Sequence, residues 1–276
     1  MLLKIKYLLN TLLNSIPIER ILPDSNFKTT ENGERIYFDA SFQFHYNLNS
    51  DIGKSLYWSK KFEEFEISFF NRMIYKENYD IIMDIGANIG WNSFRWIRDS
   101  SIKKIFLFEP SRSTREILAI NFKSVDPKRY EILPFAVSNE NNTLKFFHCK
   151  DNAYSSLKDT QRKKVIETCD VQSVTLDSYF SSRKEVKFEK LLIKIDVEGF
   201  ENDVIKGSIN LITELKPDLF IEIFQGENSN PEPNFIFKFL LKYGYQIYAF
   251  THERMLPVNH YNPKYYNYFF SVNVLS

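Results

Sequence analysis

Carboxylates in this chain stand at or just past the C-terminal ends of apolar runs, the edge from which an α/β sheet presents side chains to a ligand. The run Asp80 to Asp84 breaks into Ile85-Gly86-Ala87-Asn88-Ile89-Gly90, with a helix expected from about Trp91. Lys104 to Phe108 ends in Glu109, Leu191 to Ile195 ends in Asp196 with Glu198 close behind, and Asp218 to Ile221 runs into Glu222. A strand, a tight glycine turn and a helix N-terminus are the parts with which Rossmann-like folds hold a nucleotide-type cofactor. Glu109 lies at roughly the 20-residue spacing of a ribose-binding acid, which accepts from both hydroxyls because a carboxylate has two acceptor oxygens. It equally suits an ordinary strand-end acid capping the segment after Pro110.

The turn itself bears on the cofactor. A dinucleotide fingerprint wants glycine at its first, third and sixth positions, and here these are Gly86, Asn88 and Trp91. Trp91 opposes close helix packing on the strand, and Asn88 keeps the backbone from lying against a pyrophosphate. S-adenosylmethionine has no pyrophosphate; it needs acceptors for its ammonium and partners for its ribose. Asp84 and Asn88, with Gly86 and Gly90 around them and Glu109 beyond, supply these. Ala136, Val137 and Ser138, after the third strand of the sheet, are expected to flank the adenine.

Asp196, Glu198 and Glu222 are expected to converge on the same sheet edge. There they can act as a general base for a hydroxyl, orient hydroxyls, or hold a hard ion such as Mg or Mn, with Asp196 and Glu222 as candidate ligands. The competing reading is that Asp196 and Glu198 cap the helix starting at Glu201, and that Glu201 pairs with Lys206. His45, His148, His252 and His260 have no ligand spacing, so zinc is not expected. His252 is the best placed of them as a base, though packing roles suit all four. The polar loops Asp151 to Ser156 and Gln225 to Pro233 are candidates to carry or cover a substrate, or plain connectors.

These side chains need a sheet to position them. Strands at Asp80 to Ile85, Lys104 to Phe108, Glu131 to Phe135, Leu191 to Asp196, Asp218 to Ile223, Tyr245 to Phe250 and Phe269 to Val274 alternate with helices at about Thr114 to Lys123, Glu201 to Leu215 and Asn234 to Tyr243. That order implies an α/β fold, a Rossmann-like doubly wound sheet, mostly parallel with an antiparallel last strand. Thr143 to Phe147 and Val171 to Leu176 read as a strand pair, with the charged stretch Lys158 to Glu167 an exposed turn or helix between them. Trp58, Phe62, Phe65, Phe69 and Met73 repeat at helical spacing and predict a core-facing helix. Arg35 to Phe38 and Phe42 to Tyr46 predict a hairpin outside the main sheet. Ile5, Leu8, Leu9, Leu12, Leu13 and Ile16 predict an amphipathic helix ending at Pro17, either packing on its own domain or touching a membrane surface or a partner. It is too short to span a bilayer and lacks a small-residue cleavage site. The expected division is an N-terminal extension, 1–59, and a catalytic domain, 60–276.

With 276 residues and 43% hydrophobic content the chain can bury a sizeable core. A net charge of +1 offers no basic face for nucleic acid, so no such partner is expected. Cys149 and Cys169 are too few for a disulfide framework.

The motifs DIGANIG, FEP with the later Asn121, AVS at Ala136 to Ser138, LDS at Leu176 to Ser178, KIDVEGFE from Lys194 to Glu201, and Ile221-Glu222 together resemble the FkbM-type S-adenosylmethionine-dependent methyltransferases. The resemblance covers about Phe62 to Phe250. It implies a seven-stranded Rossmann-like sheet and O-methylation, often of a sugar or polyketide hydroxyl; the expected substrate is a small molecule or glycan, including glycolipid. The expected place is the cytoplasm, or the inner face of a membrane if the N-terminal helix makes peripheral contact. Two other classes stay open: a methyltransferase-fold binding subunit without activity, and a nicotinamide-dependent oxidoreductase, which the missing glycines oppose.

Overall fold

The computed structural model describes residues 27–31, 33, 35–183, 189–224, 232–251 and 254–273. The chain divides into two compact units, one ending at Phe62 and one beginning at Glu63. The helix expected within Met1 to Ile16, the loop from Gln225 to Asn230 with Pro231, and His252 lie outside the described residues.

In the first unit β1 (Phe27–Thr29), β2 (Arg35–Asp39) and β3 (Phe44–Tyr46) form an antiparallel sheet in that order, so the expected hairpin is present with one more strand. Asp39 pins its turn by accepting from Ser41 N at 3.0 Å, Tyr46 Oη at 2.9 Å and Lys60 Nζ at 2.6 Å. Helix α1 (Asp51–Ser59) follows, capped by Ser50 Oγ accepting from Gly53 N at 2.9 Å. The single helical stripe expected from Trp58 to Met73 is two helices. Lys60 and Glu63 take left-handed φ values of 58° and 51°, which an α-helix cannot contain, and Trp58 is left exposed at the end of α1.

The second unit opens with α2 (Glu64–Glu77) and then β4 (Ile81–Ile85), whose residues are all buried, as a strand covered on both faces requires. In chain order come α3 (Trp91–Trp96), β5 (Lys104–Phe108), α4 (Arg112–Phe122), β6 (Tyr130–Leu133), β7 (Ala136–Val137), β8 (Thr143–Cys149), β9 (Val165–Val174) and α5 (Leu176–Ser181). The remainder is β10 (Leu191–Ile195), α6 (Glu201–Lys206), α7 (Ile209–Leu215), β11 (Asp218–Glu222), α8 (Asn234–Lys242), β12 (Gln246–Phe250), β13 (Met255–Val258) and β14 (Asn267–Ser271).

The main sheet runs β13-β12-β14-β11-β10-β4-β5-β6. Strands β6, β5, β4, β10 and β11 are parallel, and the last strand, β14, enters antiparallel between β11 and β12. The doubly wound sheet with an antiparallel last strand is therefore as expected, extended by the edge strand β13. The strand order reverses between β4 and β10, the point where such sheets open a crevice for ligands. A small second sheet, β7-β9-β8, stands beside it.

Two further expectations change. The helix expected over Glu201 to Leu215 breaks at Gly207 and Ser208: a Cβ on Gly207 would stand 1.9 Å from Ser138 O, and the Gly207 carbonyl accepts from Asp177 N at 3.1 Å. Within the charged stretch Lys158 to Glu167, the residues from Val165 onward join β9, because β8 continues to Cys149 and pairs with them.

Candidate active site

The glycine turn is held from both sides. Gly86 N and Ala87 N each donate to Phe108 O at 3.0 Å, and Asp196 N donates to Ile85 O at 3.0 Å, so the ends of β4, β5 and β10 are fastened before the chains diverge. Gly86 has φ 81°, and a Cβ there would stand 1.9 Å from Asp196 O; glycine is needed for the turn to pass the Asp196 backbone. Asn88 N donates to Glu109 Oε2 at 3.0 Å and Ser111 N to Glu109 Oε1 at 2.8 Å. Asn121 Nδ2 donates to Ile89 O at 2.9 Å and fixes the far side of the turn. Burial lifts the Glu109 carboxyl to about 7 against these hydrogen bonds and the nearby Arg115.

Beneath this turn lies an open cavity. Gly86, Asn88, Glu109, Ala136 and Val137 line it, and so do Asp196 and Glu198. Asp84, Gly90, Ser138 and Glu222 are not among its lining residues. Asp84 is buried and accepts from Ser93 Oγ at 2.6 Å. Gly90 turns its missing Cβ toward α4, where an added methyl would stand 2.4 Å from Leu118 Cδ1. Ser138 is fully buried and donates its N–H to Val174 O at 3.0 Å. Apolar walls come from Phe135, Phe146, Leu157 and Phe200.

The loop between β8 and β9 crosses this cavity. Asn152, Ala153, Ser155 and Ser156 line it, and Asn152 Nδ2 lies 3.5 Å from Asn88 Oδ1. Ser156 Oγ is 2.9 Å from both Val197 O and Glu198 O, Lys158 Nζ donates to Gly199 O at 3.2 Å, and Arg162 pairs with Glu198. The Arg162 guanidinium also covers the rings of Tyr154 and Phe224, at 4.7 and 4.6 Å from their centroids.

Asp196, Glu198 and Glu222 do converge, with carboxylate oxygens within 4.8 Å of one another. Lys194 joins them from inside β10: its Nζ lies 3.1 Å from Asp196 Oδ2 and 3.5 Å from Asp84 Oδ1. Burial, and then the charge of Asp196, push the Glu198 carboxyl up to about 8 in spite of Arg162. The same causes, with Glu63 and Glu198 added, carry Glu222 well above the carboxylate range. Glu63, whose Oε2 accepts from Asn92 Nδ2 at 2.8 Å, is raised to about 7 by burial and by Asp196. Lys194 is disfavoured by burial, but Asp196, Asp84 and Glu63 outweigh that and hold its ammonium above the ordinary lysine value. A divalent ion at this cluster would have to displace Lys194 from Asp196 and Arg162 from Glu198. The arrangement suits acid and base chemistry better than metal ligation.

The helix-capping reading also fails for two of these acids. No side chain caps α6, and it is Glu201 Oε1 that accepts from Gly199 N at 3.0 Å. Lys206 pairs with Asp203. Among the described residues no histidine lines the cavity: His148 lies 3.3 Å from Cys169 Sγ, His45 packs on Phe38, and His260 is exposed. Lys194, Glu63 and Arg162 carry no role in the sequence reading. A lysine inside the otherwise apolar run Leu191 to Ile195 was a signal, since lysine is rarely buried unpaired. Glu63 and Arg162 arrive from remote segments and left none.

Residues 84–247, more than half of the chain, match the family model of the methyltransferase FkbM domain. No curated protein matches the chain. A methyltransferase FkbM from Methylobacillus flagellatus KT is similar over 70% of this chain and 44% of that one, at 16% identity and TM-score 0.46, so this chain spans less than half of that protein's length. A SAM-dependent O-methyltransferase from Thermotoga maritima is similar over 91% of this chain and 78% of that one, at 15% identity and TM-score 0.40. For an O-methyltransferase from Bacillus cereus solved in complex with SAH the figures are 76%, 81%, 12% and 0.39. No helix among the described residues is long and apolar enough to cross a membrane.

Proposed function

Given that this chain belongs to the FkbM family of S-adenosylmethionine-dependent methyltransferases, we propose that it methylates a hydroxyl of a sugar, glycan or glycolipid, with Asp196 as the base. The observation that supports this most directly is that one cavity is lined both by the Gly86 turn with Glu109 and by Asp196 with Glu198. A donor held at the first group and a hydroxyl held at the second meet in a shared space. Membership of the family sets the nicotinamide-dependent alternative aside.

S-adenosylmethionine, when bound, supplies a methyl carbon made electrophilic by its sulfonium. The chain's own residues fit such a guest. Each Glu109 oxygen already takes one backbone N–H and keeps a lone pair for a ribose hydroxyl. Ala136 and Val137, with Phe146 and Leu157, give apolar surface for an adenine. Asp196 keeps one oxygen outside its pairing with Lys194, on a side chain that is 26% exposed, and that oxygen is free to accept a hydroxyl proton. Glu198, which lines the same cavity and is raised to about 8 by burial, stands beside Asp196 to orient the acceptor's other oxygens. A positioned base is worth about 10²–10⁴-fold, and no metal is needed in this scheme.

The test is Asp196→Asn, assayed by transfer of labelled methyl from S-adenosylmethionine to glycan and lipid extracts of the host. It should fold, keep most of its affinity for S-adenosylmethionine in calorimetry, and lose at least ~10-fold in turnover; chelator should leave the wild-type rate unchanged. A wild-type rate in the variant removes Asp196 as base. Cofactor binding without transfer to any extract in the wild type would favour a binding subunit.

A further inference from the structure

Just past Glu222 the chain segments of β11 and β14 lie side by side. Glu222 faces Asn267 in their antiparallel register, and Ile223 N donates to Tyr266 O at 2.7 Å. The side chains that follow meet: the rings of Phe224 and Tyr266 stack with centroids 6.0 Å apart and planes 23° from parallel. Arg162 joins them from the loop between β8 and β9, its guanidinium 4.6 Å from the Phe224 centroid while it pairs with Glu198. A continuous line of contacts therefore runs from the cavity, which Glu198 lines, through Arg162 and Phe224 to Tyr266. Tyr266 ends that line with its side chain half exposed. Unlike a lone surface aromatic, this ring is held by a second ring and by its own backbone, so its position is fixed before a ligand arrives.

Building on the reading of the acceptor as a glycan, we propose that Tyr266, stacked on Phe224, is a subsite for a second sugar ring of that acceptor, outside the cavity where the reacting hydroxyl is held. A pyranose ring has a face of C–H groups and a rim of hydroxyls. The C–H face packs on a tyrosine ring at little cost in side-chain freedom, because two χ angles fix the ring, while the hydroxyl rim stays in water. The sugar carrying the reacting hydroxyl sits at Asp196 and Glu198, and the rest of the chain leaves the cleft over Phe224 and Tyr266. Arg162 links the two places: tied to Glu198 and laid over Phe224, it keeps the stacked rings at a set distance from the acids. Only an acceptor with more than one sugar ring reaches this subsite, so it selects oligosaccharides over monosaccharides.

Tyr266→Ala tests this, with Tyr266→Trp as the variant that keeps a stacking face. Host glycan extract is divided by size into monosaccharides and oligosaccharides, and methyl transfer is measured on each. On oligosaccharides Tyr266→Ala should raise KM about three- to tenfold with kcat unchanged, the signature of lost uniform binding, while Tyr266→Trp keeps the wild-type KM. On monosaccharides the three proteins should have the same KM. All three should unfold near the wild-type temperature and bind S-adenosylmethionine equally in calorimetry, because the ring is at the surface and does not line the cavity. Protein labelled with fluorotyrosine gives a readout independent of turnover: the ¹⁹F line lost in Tyr266→Phe should shift when the oligosaccharide fraction is added. An unchanged KM in Tyr266→Ala, a rise shared by both fractions, transfer confined to monosaccharides, or a ¹⁹F line that stays put with oligosaccharides present overturns the proposal. A line that moves while no fraction is methylated keeps the subsite and removes the proposed reaction.

Discussion

Strands β4 and β10 are flanked by carboxylates at both ends, and the two ends treat them in opposite ways. At the entry, Asp80 accepts from Glu189 N at 3.1 Å, Lys190 N at 3.0 Å and Lys103 Nζ at 3.0 Å. Burial works against its charge, but these donors prevail and hold its carboxyl below the usual range. Asp218, at the same edge, is raised by burial but is held by hydrogen bonds from Tyr79 and Ser271. At the exit, Glu63, Glu198 and Glu222 face Asp196 and one another, and all three are pushed up. Acids at the entry fasten strands to the loops that enter them. Acids at the exit repel one another at a cost in stability, an arrangement that persists where perturbed protonation serves a reaction.

The sharpest way to break this comparison is Asp80→Ala. It takes the acceptor from the part-buried backbone N–H groups of Glu189 and Lys190 and the partner from Lys103, and should cost about 3 kcal/mol in denaturant unfolding, with the methyl-transfer rate per folded molecule unchanged. A loss of rate without loss of stability would mean that the entry is not purely structural.

Glu109→Ala should weaken S-adenosylmethionine binding by about 1–3 kcal/mol in calorimetry, since it removes the acceptor of two hydroxyls and frees the N–H groups of Asn88 and Ser111. Unchanged affinity would remove Glu109 from the cofactor site.

The smallest effect has the most telling sign. A carboxyl whose folded pKa is raised adds stability that is full below its unfolded pKa and is lost as pH rises through the folded value. For Glu63 and Glu109 that window runs from about 4.5 to about 7. Asp80 and Glu131, whose values are lowered, behave in reverse and lose their contribution on acidification. Glu222→Gln removes a repelled carboxylate, so its stability relative to wild type should rise between pH 5 and pH 8, followed by thermal unfolding at each pH. A flat difference would place Glu222 in an ordinary solvated setting.

Much of the sheet was legible because buried parallel strands are short apolar runs closed by turns: β4, β5, β10 and β11 lie where Ile81, Lys104, Leu191 and Asp218 begin such runs. The break at Gly207 was not, since it follows from a long-range approach to Ser138. The join of Val165 to β9 depends on how far β8 extends as its partner. Within the site, the convergence of Asp196, Glu198 and Glu222 followed from strand ends alone. The placement of Asp84 and Gly90 away from the cavity did not, because it depends on which way each side chain or missing Cβ faces.

The sequence by itself determined the family, the succession of strands and helices, and which acids end the apolar runs, since these follow from local apolar patterning and motif spacing. The tertiary structure alone decided which acids are pushed up. Protonation depends on burial and on neighbours brought from Glu63, Arg162 and Lys194, and electrostatic energy is set by distances in space that position along the chain does not record.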